Sequence, residues 1–399
     1  MMRAWCRRTV GALPVTALLG VTFLLVSTSA SGAMAASPGT GVAWHGYDAH
    51  VAEQPDPGSY VSLISAGGAN TFRDDFPWVS IEPERGSFDW SSTDAIVKQA
   101  ARHDLHVLMI ADTTPAWASG ASTSQKDWYW LPPANPSSYG TFVAQLAERY
   151  GNGGTFWAAN PTLPVVLPAG IELWNEQNTS GFWGDHTPSP TVYAQMVKAA
   201  YAAVKRADPS MTVLLGGLAP AGGYDDVRCT GKHGSGHDAK AWNPVNYLQA
   251  LYADGVGGSF DAVGWHPYNF WSGATAKQML AYNLCSAWSQ MASTPVSARS
   301  LMIANGDSSK PVWVTETGVP TCVTGASYTC VSTSAQSTLA KKEVQLWRGF
   351  PWAGGFYWYD IRDDFGGTST TNIEAHFGAV MADNHPKPVY HALQTAWSG

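Results

Sequence analysis

Eight short apolar segments recur along the sequence with stretches of helical length between them, and this alternation restricts the fold more than any other feature of the chain. The segments are Gly41–Tyr47, Thr71–Phe76, His106–Asp112, Ile171–Asn175, Thr212–Leu218, Asp261–Tyr268, Pro311–Glu316 and Gly355–Tyr359. Among the stretches between them, Ser92–His103, Ser138–Tyr150, Thr191–Ala207 and Ser334–Arg348 carry apolar residues at helical spacing. Asp208-Pro209 closes one of these helices before the next strand. The alternation predicts an α/β chain folded as a single-domain (β/α)8 TIM barrel with long βα loops. An open doubly wound sheet is the rival. It would carry a glycine-rich phosphate loop after its first strand, and Gly41–His50 contains no G-x-G-x-x-G. The 399 residues exceed the roughly 250 that such a barrel needs. The excess falls after strands, in Gly120–Asn135, Gly222–Asn243 and Val319–Thr333. These connections belong to the strand C-terminal face, where barrel active sites are built.

Residues 1–36 read as a signal peptide and residues 37–399 as the barrel. Arg3, Arg7 and Arg8 form a basic start, Val10 to Val26 an apolar run, and Ala33-Met34-Ala35 a small-x-small cleavage pattern. The run is short for a membrane span and Pro14 interrupts it. The expectation is therefore a secreted, extracellular protein that leaves the membrane after cleavage. Without the leader's three basic residues, 20 Lys and Arg face 30 Asp and Glu, a formal charge of −10. An acidic surface of that size argues against nucleic acid as a partner, because phosphate binding needs an excess of cations.

Cys6 departs with the leader. An even number of cysteines then remains, Cys229, Cys285, Cys322 and Cys330, as expected of disulfides in an exported chain. Of the three possible pairings we expect Cys322–Cys330, closing a short loop, with Cys229–Cys285. No close Cys-x-x-Cys pair suggests zinc. His45, His103, His106, His233, His237 and His266 are scattered, so neither a metal nor another cofactor is expected. The sequence holds 19 tryptophans. Rings of this kind suit either a large core or platforms for the flat faces of sugars.

Two apolar strands end in a carboxylate. Ile171-Glu172-Leu173-Trp174-Asn175-Glu176 runs from the fourth strand into a loop, and Pro311-Val312-Trp313-Val314-Thr315-Glu316 ends the seventh. One such glutamate alone would be a solvated loop residue or a helix cap. Strands four and seven of a closed barrel, however, face each other across its mouth. Two facing carboxyl groups about 5–5.5 Å apart are what cleavage of a glycosidic bond with retention requires. Glu172 has the parity of Glu176 but lies deeper, near the strand start. Glu82 looks catalytic in isolation. It is assigned a structural role, since Ile81-Glu82-Pro83 begins a turn leading to Asp89-Trp90.

Trp174-Asn175-Glu176 and Val314-Thr315-Glu316-Thr317-Gly318 resemble the acid/base and nucleophile motifs of clan A glycoside hydrolases. Thr71-Phe72-Arg73-Asp74-Asp75 with Trp78, Ile81-Glu82-Pro83-Glu84-Arg85-Gly86 with Phe88-Asp89-Trp90, Thr114-Pro115-Ala116-Trp117-Ala118, and Val263-Gly264-Trp265-His266-Pro267-Tyr268 are similar to family 39 and cellulase-like family 5 members. The resemblance spans roughly Val42 to Tyr390. It departs at Gln177, where proline is common.

The resemblance implies a retaining glycosidase acting on a carbohydrate substrate, with Glu176 as acid/base and Glu316 as nucleophile. It further implies that Asn175 bonds the sugar 2-hydroxyl, that Arg73 keeps Glu316 ionised, that Tyr268 bonds Glu316 and that His266 touches the sugar. Trp358 would floor the subsite of the cleaved sugar, flanked by Tyr357 and Tyr359. His45 and Trp117 are further expected sugar contacts. The alternatives are an endo-acting glucanase or mannanase of the same clan and, in another class, a sugar-binding barrel without catalysis.

Overall fold

Eight parallel strands close into a barrel in strict sequence order, with β1 hydrogen-bonded to both β2 and β8. The computed structural model describes residues 39–43, 57–221, 240–268, 286–321, 330–363 and 373–397. The strands are β1 Thr40–Ala43, β2 Thr71–Asp75, β3 His106–Ala111, β4 Gly170–Leu173, β5 Val213–Leu218, β6 Ala262–Trp265, β7 Val312–Thr317 and β8 Ala353–Tyr359. The principal helices are α1 Pro57–Ala66, α2 Ser91–Arg102, α3 Pro136–Tyr150, α4 Pro190–Ala207, α5 Pro244–Ala253, α6 Ala298–Ala304, α7 Thr333–Arg348 and α8 Pro388–Trp397. The expected (β/α)8 architecture is thus the observed one. No described helix is long and apolar enough to cross a membrane.

The helix starts follow from local chemistry. Asn135, Ser189 and Asn243 each accept a backbone N–H of the first turn, and each precedes a proline. The side-chain acceptor satisfies an otherwise orphaned donor, and proline has no N–H to leave unpaired at that position. In α2 the buried residues Thr93, Ile96, Val97, Ala100 and Ala101 form one stripe at helical spacing.

Strands β2 to β8 are buried on both faces, as parallel strands wrapped by helices must be. Val107, Val213, Val263, Val312 and Phe356 belong to the core between barrel and helices. Their neighbours Leu108, Leu214, Ala262, Trp313 and Tyr357 form a second cluster inside the barrel. This is the two-residue period of a strand. Much of the tryptophan content is core, since Trp78, Trp174, Trp265, Trp288, Trp347 and Trp358 are fully buried.

Three register irregularities break the alternation, and they position the site. On β5, Leu215 and Leu218 pair with Val263 and Trp265 of β6, leaving an extra residue at Gly216-Gly217. On β7, Val314 and Thr317 pair with Phe356 and Trp358 of β8, leaving an extra residue beside Glu316. A third lies between Val312 and Val314, where β8 carries the extra residue. A bulge of this kind re-aims the side chains that follow it.

Candidate active site

Arg73 of β2 lies at the centre of the site, with a side chain that has no exposed surface. Its Nε donates to Glu172 Oε2 at 2.6 Å and its Nη1 to Glu316 Oε1 at 2.6 Å. Its Nη2 donates to Asn175 Oδ1 at 2.8 Å and to Glu172 Oε1 at 3.3 Å. Four oxygens of three residues, from β4, the turn after it and β7, therefore share one planar fork, a geometry that a lysine ammonium cannot reproduce. Burial works against the charged guanidinium. The charges of Glu172 and Glu316 outweigh it and hold the group above its ordinary range.

β4 ends at Leu173, two residues before the expected boundary. Trp174 and Glu176 then adopt left-handed φ angles of 73° and 45°. Such angles are unfavourable for residues bearing a Cβ and persist where the surroundings enforce them. Here the Trp174 ring is fully buried and its Nε1 donates to Phe182 O, while the Glu176 amide donates to Gly217 O at 3.0 Å. Gln177, at the position where the resemblance departs, donates from Nε2 to Gly216 O. Asn178 exchanges hydrogen bonds with Ala219. The turn that carries Glu176 is thereby stapled to the end of β5.

Glycine at position 217 is a requirement of close approach. A Cβ there would lie 2.0 Å from His266 Nε2 and 2.6 Å from Thr315 Oγ1. The Gly217 amide also donates to Glu172 Oε1 at 2.7 Å. Along β7, Val314 and Thr317 both face the helix layer, and Thr317 Oγ1 donates to Glu343 Oε2 on α7. The extra residue between them turns Glu316 to the interior. There its Oε2 accepts from the Tyr268 hydroxyl at 2.7 Å. Burial first, and then the Glu316 charge, raise the Tyr268 phenol well above its ordinary range, so it remains a neutral donor.

His266 lies between the two glutamates. Its Nδ1 is 2.9 Å from Glu176 Oε1 and 3.6 Å from Glu316 Oε2. One ligand-type atom from each of Glu176, His266 and Glu316 fits within a mutual distance of 4.8 Å. The two carboxyl groups thus converge on one small space at the strand ends. Such spacing would also admit a cation, but the Arg73 guanidinium already supplies the positive charge at Glu316. The Glu176 side chain is 19% exposed and that of Glu316 is 7% exposed. Glu176 is thus the more accessible of the two.

The structure brings together Glu176, Glu316, Asn175, Arg73, His266 and Tyr268 from the sequence-derived set. It changes the expected contact of His266. The ring has no exposed surface and meets the carboxylates, because Gly217 leaves room for it beneath the loop. Trp358 is also corrected. Its ring belongs to the barrel–helix core, whereas Tyr357 and Tyr359 on either side face the interior. Tyr359 packs edge-on against Tyr268 at 6.2 Å. The strand extends through Tyr359, and the alternation then turns residue 358 outward.

Trp117 is half-buried. It donates to Glu82 O, packs edge-on against Trp78 and carries the Arg85 guanidinium 4.8 Å above its ring. Arg85 therefore covers one of the ring faces expected to meet sugar. Glu82 accepts from Trp78 Nε1 and the Gly86 amide, the structural role expected of it. His45 lies outside the described residues, as do Cys229, Cys285 and Cys322. Cys330 is disulfide-bonded.

Glu172 is the residue that sequence reasoning passed over. It is fully buried and holds two donors of Arg73. The available signal was its parity with the interior face of β4, two strands from Arg73.

Residues 59–123 match the family model Glyco_hydro_42, described as beta-galactosidase. No curated protein matches the chain at a significant level. Among solved structures, a family 39 glycoside hydrolase from Bacteroides cellulosilyticus superposes with a TM-score of 0.61 at 21% identity, covering 90% of this chain and 63% of that one. A monomeric beta-xylosidase from Caulobacter crescentus gives 0.58 at 18% identity, with 90% and 69% covered. A GH5_18 structure from Streptomyces cattleya, solved with GlcNAc, gives 0.56 at 17% identity, with 91% and 80% covered. The chain thus spans less than two thirds of the length of the first of these. The likeness shows the barrel fold, and the resemblance to clan A glycoside hydrolases read from the motifs stands with it.

Proposed function

We propose that this chain is a secreted, retaining glycoside hydrolase that cleaves O-glycosidic bonds of a poly- or oligosaccharide by double displacement. The observation that carries this reading is the convergence of Glu176 and Glu316 oxygens within 4.8 Å at the strand C-terminal face. The family model described as beta-galactosidase and the glycosidase barrels of similar fold support it.

Glu316 is the nucleophile in this reading. Arg73 donates to one of its oxygens and Tyr268 to the other, so the carboxylate stays ionised and oriented. It attacks the anomeric carbon while Glu176 passes its proton to the leaving oxygen, and a covalent glycosyl-enzyme forms. Glu176, now a carboxylate, takes a proton from water, the water oxygen bonds to the anomeric carbon, and Glu316 departs. His266 holds Glu176 Oε1 through both steps.

A guanidinium only donates, so the Asn175 oxygen faces Arg73 and its amide nitrogen remains to bond the sugar 2-hydroxyl. Tyr359 takes the place at the floor of the subsite that had been expected of Trp358. Export rests on the basic, apolar and small-residue pattern of residues 1–36.

The test is a panel of plant and microbial polysaccharides and activated aryl glycosides, with Glu176→Ala and Glu316→Ala as controls. Both variants are expected to lose activity, and azide to restore part of it in Glu176→Ala with activated substrates. Proton NMR of the first product should show the starting anomeric configuration. Inversion, or full activity in either variant, would refute the assignment.

A further inference from the structure

Glu172 has no place in the double displacement, yet it is fully buried and the hydrogen bonds it accepts lead toward the reacting groups. Both of its oxygens hold Arg73, and Oε1 also accepts from the Gly217 amide. That glycine carries the carbonyl which holds the Glu176 amide, and it lies against His266. We infer that Glu172 is a positioning residue that aims the Arg73 fork and divides its positive charge between two carboxylates, so that Glu316 is held ionised without being stripped of nucleophilicity. The inference rests on the assignment of Glu316 as nucleophile.

The geometry supports both parts. Nε and Nη2 are taken by Glu172, which fixes the guanidinium plane and leaves Nη1 pointing at Glu316 and the second Nη2 hydrogen at Asn175. A guanidinium with one carboxylate partner would spend its whole charge on Glu316. Pairing strongly with one cation lowers the basicity of a carboxylate and with it the rate of attack. With two buried carboxylates around one cation, the cluster carries a net negative charge, and Glu316 keeps more of its basicity.

Among the described residues, the groups facing Glu316 include Arg73 from β2, His266 and Tyr268 from the end of β6, and Glu176 from the β4 turn. Around Glu172, the buried phenols of Tyr139, Tyr193 and Tyr357 hold their protons chiefly because of burial, and the Glu172 charge adds to this. Among the described residues, Arg73 is the cation paired with Glu172.

The sign of one shift separates charge-sharing from a plain structural role. In Glu172→Gln the negative charge is gone, the guanidinium acts on Glu316 alone, and the Glu316 pKa falls by roughly one unit or more. If Glu172 served only to hold Arg73 in place, its loss would loosen the Arg73–Glu316 contact and the pKa would rise. The measurement is a carbon-13 titration of side-chain-labelled glutamate in the full-length protein, with Glu316→Gln spectra in each background to assign the resonance. Glu172→Asp, smaller and still charged, guards against misfolding of the first variant. It is expected to leave the Glu316 pKa near its wild-type value and to lower kcat by disturbing the aim of Arg73.

A fall in Glu172→Gln, matched by an acid limb of kcat/KM moved to lower pH, is the expected result. An unchanged or raised Glu316 pKa in Glu172→Gln, or a fall in Glu172→Asp as large as that expected for Glu172→Gln, overturns the inference. The titration needs no turnover. Absence of glycosidase activity in the wild type would therefore count against the proposed function and leave the charge-sharing result standing by itself.

Discussion

Gly217 and His266 approach so closely that a methyl group on the glycine would sit 2.0 Å from the ring Nε2. The same ring presents Nδ1 to Glu176 at 2.9 Å. The backbone of β5 is thus the surface against which the hydrogen-bond partner of Glu176 rests. Gly217→Ala must displace the ring, the Thr315 hydroxyl or the strand. We expect a loss of stability of about 1–3 kcal/mol, typical of overpacking. A fall in kcat/KM exceeding tenfold should accompany it, because Glu176 loses its fixed partner. Denaturant unfolding and initial rates on the same preparation check both, and a fully active Gly217→Ala would contradict the close packing.

Tyr268→Phe removes one hydroxyl and little volume. The phenol donates to Glu316 Oε2 and favours its ionised form. Without it the Glu316 pKa rises, so the acid limb of kcat/KM should move to higher pH, opposite to the direction expected for Glu172→Gln. The loss at the pH optimum should be about tenfold to a hundredfold, the worth of one charge-assisted hydrogen bond. A pH–rate profile superimposable on that of the wild type would show that Tyr268 does not influence the ionisation of Glu316.

Glu343 on α7 gives the fold itself a dependence on pH. Burial raises its carboxyl from an ordinary 4.5 to about 8, against a smaller opposing effect of the hydrogen bond from Thr317. The folded protein therefore keeps this proton at pH values where the unfolded chain has lost it. The stability that the protonated group contributes is complete below the unfolded pKa of 4.5 and is lost as pH rises toward about 8. Within that window the slope is on the order of 1.4 kcal/mol per pH unit. Glu343→Gln should flatten it, so that the variant is favoured over the wild type progressively from pH 5 to about pH 8. Denaturation midpoints at several pH values decide the matter, and parallel wild-type and variant curves would show that Glu343 does not titrate as described.

Neighbouring rings on β8 should separate stability from activity. Trp358 is fully buried between barrel and helices, while Tyr359 faces the interior beside Tyr268. Trp358→Phe is expected to cost about 1–3 kcal/mol of stability through lost packing, with kcat/KM per folded molecule within about threefold. Tyr359→Ala should lower kcat/KM by tenfold or more by opening the floor of the site. The reverse pattern would restore the role first expected of Trp358.

Eight strands and their order were legible in the chain because strand, turn and helix signals are local. Apolar runs and Asp208-Pro209 act within a few residues of themselves. Glu176 and Glu316 stood out for the same reason, each ending an apolar run, and closure of eight strands brings the fourth and seventh ends face to face. Which way each side chain points was a different matter. The extra residue that turns Glu316 inward, the bulge at Gly216-Gly217 and the outward turn of Trp358 depend on the register between neighbouring strands. Register is set by contacts between residues tens of positions apart, and a slip of one residue reverses a face. Only the folded barrel could therefore decide that His266 meets carboxylates, that Tyr359 lies where Trp358 was expected, and that Glu172 grips the arginine serving Glu316.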